Sequence, residues 1–122
     1  MYRSMMQVFV KESDKALEFY KEVFTAAVLC VYPAPNGTLY HAELDVYGQV
    51  LALSELNDES VVTGNTMMFC LHFGEGNEDT VRKIYDALKV DAITASPLEP
   101  CDYSPLDAAV VDKFGVSWCI FV

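Results

Sequence analysis

His41, Glu43 and Asp45 occupy alternate positions in a strand-like run over residues 38–46. Side chains at that spacing leave a strand on one face, which would put an imidazole and two carboxylates side by side. An imidazole next to a carboxylate can exchange protons near neutral pH, and His41 with Glu43 can also offer ligands to a divalent metal. Two side chains from one strand do not complete a coordination sphere. The same face therefore also fits ligand contact, or a solvated strand with a cross-strand hydrogen bond. The second imidazole, His72, sits among Cys70, Leu71 and Phe73. A lone histidine there suits a hydrogen-bonded structural role, while its parity with Met68 and Cys70 can turn it toward a ligand. Gln7, at period two from Met5, offers a polar amide to the same kind of site. Glu55, beside Asn57-Asp58-Glu59, is expected at a strand end in water.

The four cysteines, Cys30, Cys70, Cys101 and Cys119, contain no Cys-x-x-Cys pair. Neither a zinc knuckle nor a thioredoxin-type redox pair is suggested, and buried free thiols are expected. Cys101 and Tyr103 lie in a proline-containing loop over residues 96–105. Without a neighbouring cation in sequence to activate its thiol, Cys101 reads as an accessible group beside the ring and hydroxyl of Tyr103. The loop is otherwise a stiff surface connection whose prolines limit its freedom.

Strands and helices must present these groups, and their pattern appears twice. Residues 5–10 form a short apolar strand, after which Ser13 is expected to cap a helix carrying Ala16, Phe19, Tyr20, Val23 and Phe24 at helical spacing. Strand-like runs follow over residues 26–32, 38–46 and 49–56. On the middle one, Tyr40, Ala42, Leu44 and Val46 form the face expected against the helix. Asn36-Gly37 reads as a hairpin turn of type I′ rather than as a glycosylation acceptor. Residues 67–73 open the second half, and Asn77 or Asp79 can cap a helix bearing Val81, Ile84, Tyr85 and Leu88. Strands over 92–95, 108–111 and 117–122 complete it. Each half is thus βαβββ, a repeat of about half the chain that implies an α+β fold of mixed sheets with helices on one face.

At 122 residues with a formal charge of −10 and a pI near 4.4, the chain is expected to be one domain, 1–122, with modules of about 1–58 and 64–122. The acidity argues against nucleic acid and anionic lipid as partners, because both rely on clustered Lys and Arg. With no apolar run of the ~20 residues a spanning helix needs and no long apolar stretch at the N-terminus, no membrane association and a cytoplasmic location are expected.

Four segments in order carry a family resemblance: Ala-Leu-Glu-Phe-Tyr-Lys-Glu-Val-Phe (16–24), His-Ala-Glu-Leu (41–44), Leu-x-Leu-Ser (51–54) and Asp-x-Phe-Gly-x-x-Trp (112–118). Together they resemble the PhnB-like branch of the vicinal oxygen chelate superfamily, which includes glyoxalases, bleomycin resistance proteins and dioxygenases. The resemblance covers essentially the whole chain and implies two βαβββ modules whose sheets form a cup. Members commonly hold a divalent metal there with one ligand from each of four strands. Carried onto this sequence, those positions fall at Met5, Ala52, Thr66 or Met68, and Cys119. None is a histidine or carboxylate, so no metal is expected in the usual place and no cofactor is expected elsewhere except in a displaced site.

The resemblance also implies a small-molecule ligand in the cup and a homodimer. Contact candidates from the first module are Gln7, His41, Glu43 and Ser54; those from the second are His72, Tyr103, Ser117 and Cys119. The leading reading is a small-organic-ligand binder. One alternative is a metal-dependent lyase, isomerase or dioxygenase with a shifted site at His41 and Glu43, with or without His72. The other is bleomycin-type sequestration, in which the acidic chain would attract a cationic drug. Some PhnB-like sequences carry a demethylubiquinone methyltransferase label, but no Gly-rich strand-to-helix turn supports S-adenosylmethionine binding here.

Overall fold

In the computed structural model, which describes residues 1–122, both halves take the βαβββ order their periodicity dictates, and the class is α+β. The chain divides into two units, Met1–Val62 and Thr63–Val122. The first contains β1 (Met6–Val10), α1 (Ser13–Phe24), β2 (Ala27–Pro33), β3 (Leu39–Val46) and β4 (Gln49–Glu55). Its sheet runs β1-β4-β3-β2, with β1 parallel to β4 and the remaining pairs antiparallel. The second contains β5 (Phe69–His72), α2 (Glu78–Leu88), β6 (Thr94–Ala95), β7 (Asp107–Val111) and β8 (Ser117–Phe121). Its sheet runs β5-β8-β7-β6 with the same directions.

Alternation explains each core. In the first unit Val8, Val10, Leu44, Leu51 and Leu53 are buried on the sheet face that meets α1, whose Ala16, Tyr20, Val23 and Phe24 are buried in return. In the second, Ala108, Val110, Trp118 and Ile120 are buried with Val81, Ile84 and Leu88 of α2. Burial of each large apolar side chain contributes roughly 1.5–3 kcal/mol. Alternation then leaves the opposite face of each sheet for polar groups.

Local sequence rules fail at several positions, each for a tertiary reason. Ser13 is not the cap of α1. Glu12 takes that place in a left-handed conformation (φ 54°) without a side-chain cap bond, and Ser13 is the first helical residue. The open helix terminus is closed from across the sheet, because Ser13 donates both its backbone N–H and its hydroxyl to Glu55 Oε1, at 2.9 Å each. Ser13 Oγ in turn accepts the Leu39 N–H at 2.9 Å. Glu55 is therefore a half-buried structural acceptor, not a solvated strand end.

Tyr40 was expected against the helix, yet it is 67 % exposed. The ladder pairs Tyr32 with His41 and Pro33 with Leu39, so Tyr40 is skipped and Leu39 takes the buried place. The Asn36-Gly37 turn is not type I′, since only Gly37 has positive φ (89°). Its N–H closes a turn onto Ala34 O at 3.1 Å, with Pro35 and Asn36 at the centre. The 92–95 strand is reduced to Thr94–Ala95. Of the four free thiols only Cys119 is buried, whereas Cys70 and Cys101 are exposed.

The two sheets each have a hairpin that begins with Asp-x-x-Gly. Asp45 Oδ1 accepts the Gly48 N–H at 2.7 Å on the surface. Asp112 is fully buried and accepts from Phe114 N (2.9 Å), Val116 N (3.1 Å) and Trp118 Nε1 (2.8 Å). Gly115 adopts φ 86° in that turn, a conformation glycine takes without steric cost.

Candidate functional site

On the face of the first sheet turned away from α1, strand register draws Gln7, Ala52, Glu43 and Cys30 into one row across β1, β4, β3 and β2. Phe9 beside Ser54 and His41 beside Tyr32 make the next positions on that face. Four residues singled out from sequence, Gln7, His41, Glu43 and Ser54, are thereby brought together. Gln7 Nε2 donates to Ser54 Oγ at 3.2 Å. The His41 Nε2 atom lies 3.0 Å from Glu43 Oε1, and the Tyr32 ring is 6.3 Å from the His41 ring.

Arg3, which carried no signal in the sequence, completes this network. Its Nη1 and Nη2 donate to Glu43 Oε2 and Oε1, each at 2.8 Å, in a bidentate pair. Paired guanidinium donors first, and His41 second, hold the Glu43 carboxyl down to about 2 against its ordinary 4.5, even though the residue is only 6 % exposed. Burial alone would raise it; the charge-assisted bonds win. Beyond Ser54 the strip ends at a cleft of about 470 Å³, bordered by Phe9, Asn36, Tyr40, Ser54 and Asn57.

The corresponding face of the second sheet has a different chemistry. Cys70, Cys119 and Ala109 form one row, and His72, Phe121 and Asp107 the next. Tyr103 and Cys119 are brought together by Asp107, a residue sequence reading passed over. Its Oδ1 accepts the Tyr103 hydroxyl at 3.0 Å and the Cys119 thiol at 3.3 Å. Burial, and then Asp107, push the Cys119 thiol up to about 12; the bond to Asp107 raises the Tyr103 phenol as well. Both groups are thus neutral donors at physiological pH, which removes Cys119 as a nucleophile. His72 stacks on Phe121 with ring centres 4.5 Å apart, and Tyr103 meets the same ring edge-on at 5.4 Å. Ser117 shares the parity of Cys119 but pairs with Val111 at the strand's start. The signal that could have exposed Asp107 is its place as the first residue of a strand beside a candidate face.

The four positions expected from the resemblance were tested as metal ligands by their own chemistry. Met5 precedes β1 in an exposed segment, Ala52 is a buried methyl group, Thr66 and Met68 precede β5, and Cys119 is a protonated thiol. This donor set does not fit a divalent ion, which needs several oxygen, imidazole or thiolate ligands. A different group does converge: ligand atoms of Cys30, His41 and Glu43 all lie within 4.8 Å of one another.

A family model described as the Glyoxalase/Bleomycin resistance protein/Dioxygenase superfamily matches residues 4–120. No curated protein matches the chain. Among solved structures, a putative 3-demethylubiquinone-9 3-methyltransferase, PhnB protein, from Bacillus cereus is similar with a TM-score of 0.81 at 20 % identity, covering 98 % of each chain. Protein PA1353 from Pseudomonas aeruginosa gives 0.81 at 16 % identity, covering 99 % of this chain and 97 % of its own. The fosfomycin resistance protein FosX from Listeria monocytogenes gives 0.74 at 14 % identity, covering 98 % and 91 %. At these identities the likeness is one of fold.

Proposed function

Since the chain belongs to the Glyoxalase/Bleomycin resistance protein/Dioxygenase superfamily, we propose that it is a PhnB-like member that binds a small organic ligand on the polar face of its first sheet, without metal at the superfamily's usual positions. One observation carries this reading. Gln7, Ser54, His41 and Glu43, drawn from three strands, form a polar strip that runs to a cleft of about 470 Å³ beside Phe9 and Tyr40. Small-molecule sites are typically ~300–1,000 Å³ and combine aromatic or apolar walls with a few placed polar groups. Phe9, 61 % exposed, supplies uncovered ring surface. Within the second unit, Cys119, Tyr103, His72 and Ser117 are contact candidates of their own sheet, where a neutral thiol and phenol suit recognition rather than covalent chemistry.

The reading extends to a cytoplasmic homodimer that acts as one domain. No helix is long and apolar enough to cross a membrane. On the edge strand β2, Val28, Leu29, Val31 and Tyr32 are all exposed, and an apolar edge of that kind favours burial against a second copy. Light scattering on the eluting peak of a sizing column distinguishes dimer from monomer.

Thermal-shift screening in the presence of a chelator tests the ligand claim, because a compound selective for the native state raises Tm. Aromatic carboxylic acids and cationic glycopeptides are the first probes; the net charge of −10 makes the latter the test of drug sequestration. The expected result is a chelator-resistant rise that Ser54→Ala and Gln7→Ala each reduce. A rise untouched by both substitutions would place the ligand elsewhere and defeat the reading. The 3.0 Å approach of His41 to Glu43 favours a second reading, an enzyme in which His41 carries a proton. Turnover of a bound compound, abolished in His41→Ala while binding persists, would establish it.

A further inference from the structure

Cys30 comes from β2, whereas His41 and Glu43 come from β3, and Cys30 pairs directly with Glu43 across the ladder. His41 is two residues from Glu43 on the same face. This arrangement supplies what the sequence lacked, a third ligand type from a second strand. Thiolate, imidazole and carboxylate together suit a borderline-soft ion that accepts tetrahedral S, N and O donors, and three protein ligands leave one position open. The hard ions calcium and magnesium are disfavoured by the sulfur and nitrogen donors. All three ligands stand on paired strands rather than on loops, and their ligand atoms are already within 4.8 Å of one another.

Glu43 needs a cation, since a buried carboxylate is costly unless it is paired. Arg3 fills that place, but it does so from residues 1–5, which lie outside any helix or strand. Met1 and Tyr2 are fully exposed and the Arg3 side chain is 44 % exposed. An incoming cation must therefore replace the two charge-assisted bonds that Arg3 gives Glu43.

We propose that Cys30, His41 and Glu43 form a zinc-binding site, and that Arg3 is the internal cation that occupies Glu43 in the metal-free protein and withdraws when the ion binds. On binding, the Cys30 thiol releases its proton to solvent and the Glu43–Arg3 pair is replaced by a Glu43–zinc bond; no oxidation is involved. A water or a ligand oxygen takes the open position. The site differs from the superfamily's positions at Met5, Ala52, Thr66 or Met68, and Cys119, and does not depend on the ligand-binding proposal above, which is tested with chelator present.

Cobalt(II) is the probe for the sulfur ligand, because a cobalt–thiolate bond gives a near-ultraviolet charge-transfer band. Chelator-stripped protein is titrated with cobalt, and zinc affinity is then measured by competition with a chromophoric chelator. A stoichiometric band is expected in the native protein, reversed by zinc and lost in Cys30→Ser. The triple change Cys70→Ser, Cys101→Ser and Cys119→Ala is expected to keep the band, which leaves Cys30 as the sulfur even should Cys30→Ser fold poorly. His41→Ala is expected to weaken zinc binding by on the order of a hundredfold or more. Arg3→Ala is expected to tighten it by roughly tenfold or more, because zinc then displaces no bidentate guanidinium from a buried carboxylate. A native protein with no charge-transfer band, or a band that survives Cys30→Ser or disappears in the triple variant of Cys70, Cys101 and Cys119, overturns the site. Unchanged or weaker zinc binding in Arg3→Ala overturns the exchange with Arg3.

Discussion

The sheet faces turned away from α1 and from α2 share a strand plan and carry opposite electrostatics. On the first, Arg3 and His41 surround Glu43 and stabilise its charged form, so the carboxyl stays ionised down to about 2. On the second, Asp107 accepts hydrogen bonds from Tyr103 and Cys119 and stabilises their protonated forms, so the thiol stays neutral up to about 12. A repeat of backbone therefore does not imply a repeat of chemistry. One carboxylate gains a guanidinium and becomes a charge centre; another gains neutral donors and fixes them as neutral.

Alkylation rates give the widest separation. With the Cys119 thiol near 12 instead of its ordinary 9.0, its thiolate population at neutral pH falls on the order of a thousandfold. Iodoacetamide followed by peptide mass mapping is expected to label exposed Cys70 and Cys101 long before Cys119. Asp107→Asn should speed Cys119 labelling; equal rates for all three in the native protein would erase the contrast between the faces.

The hairpins provide the next separation. Asp112→Ala removes a buried acceptor of three hydrogen bonds, an expected loss of about 3 kcal/mol or more in urea unfolding. Trp118, the chain's one tryptophan, reports that transition by fluorescence from within the second unit. A loss below ~1 kcal/mol would mean that the hairpin is held by its glycine and strand pairing instead.

Opposite pH windows sharpen the contrast further. Glu43 has a lowered folded pKa, so its contribution to stability is present above about 4.5 and fades as pH falls toward about 2. Cys119 has a raised one, so its contribution is present below 9.0 and fades as pH rises toward about 12. Denaturation midpoints of metal-free protein are expected to drop in both windows. Arg3→Ala should flatten only the acid limb, and Cys119→Ala only the alkaline one. The smallest effect is expected from Asp45→Ala, whose single surface bond to Gly48 makes it the exposed counterpart of Asp112. Its cost should stay under ~1 kcal/mol by the same unfolding measurement.

Element order was legible because apolar period is a local property. Residues 5–10 and 67–73 are short apolar runs and residues 16–24 and 81–88 recur at helical spacing; strands and helices form there, with β5 shortened to Phe69–His72. The pairing of His41 with Glu43 on one face was legible for the same reason. Arg3 was not, since its partner lies forty residues on and only the fold brings them within 2.8 Å. Cys30 was read only as a free thiol and Asp107 not at all, because a cross-strand neighbour is fixed by register, which single-strand periodicity does not encode. Tyr40 and Ser13 were misplaced where a skipped ladder position and a distant carboxylate, Glu55, overrode local preference.

By itself the sequence determined the two βαβββ halves and the buried faces of α1 and α2. These depend on residue type and spacing along the chain. Tertiary structure decided which carboxylate is a charge centre and which is a neutral acceptor, because the free energy of ionising a side chain depends on the groups that surround it in space. Glu43 and Asp107 are both carboxylates on strands; Arg3 and His41 reach one, Tyr103 and Cys119 reach the other.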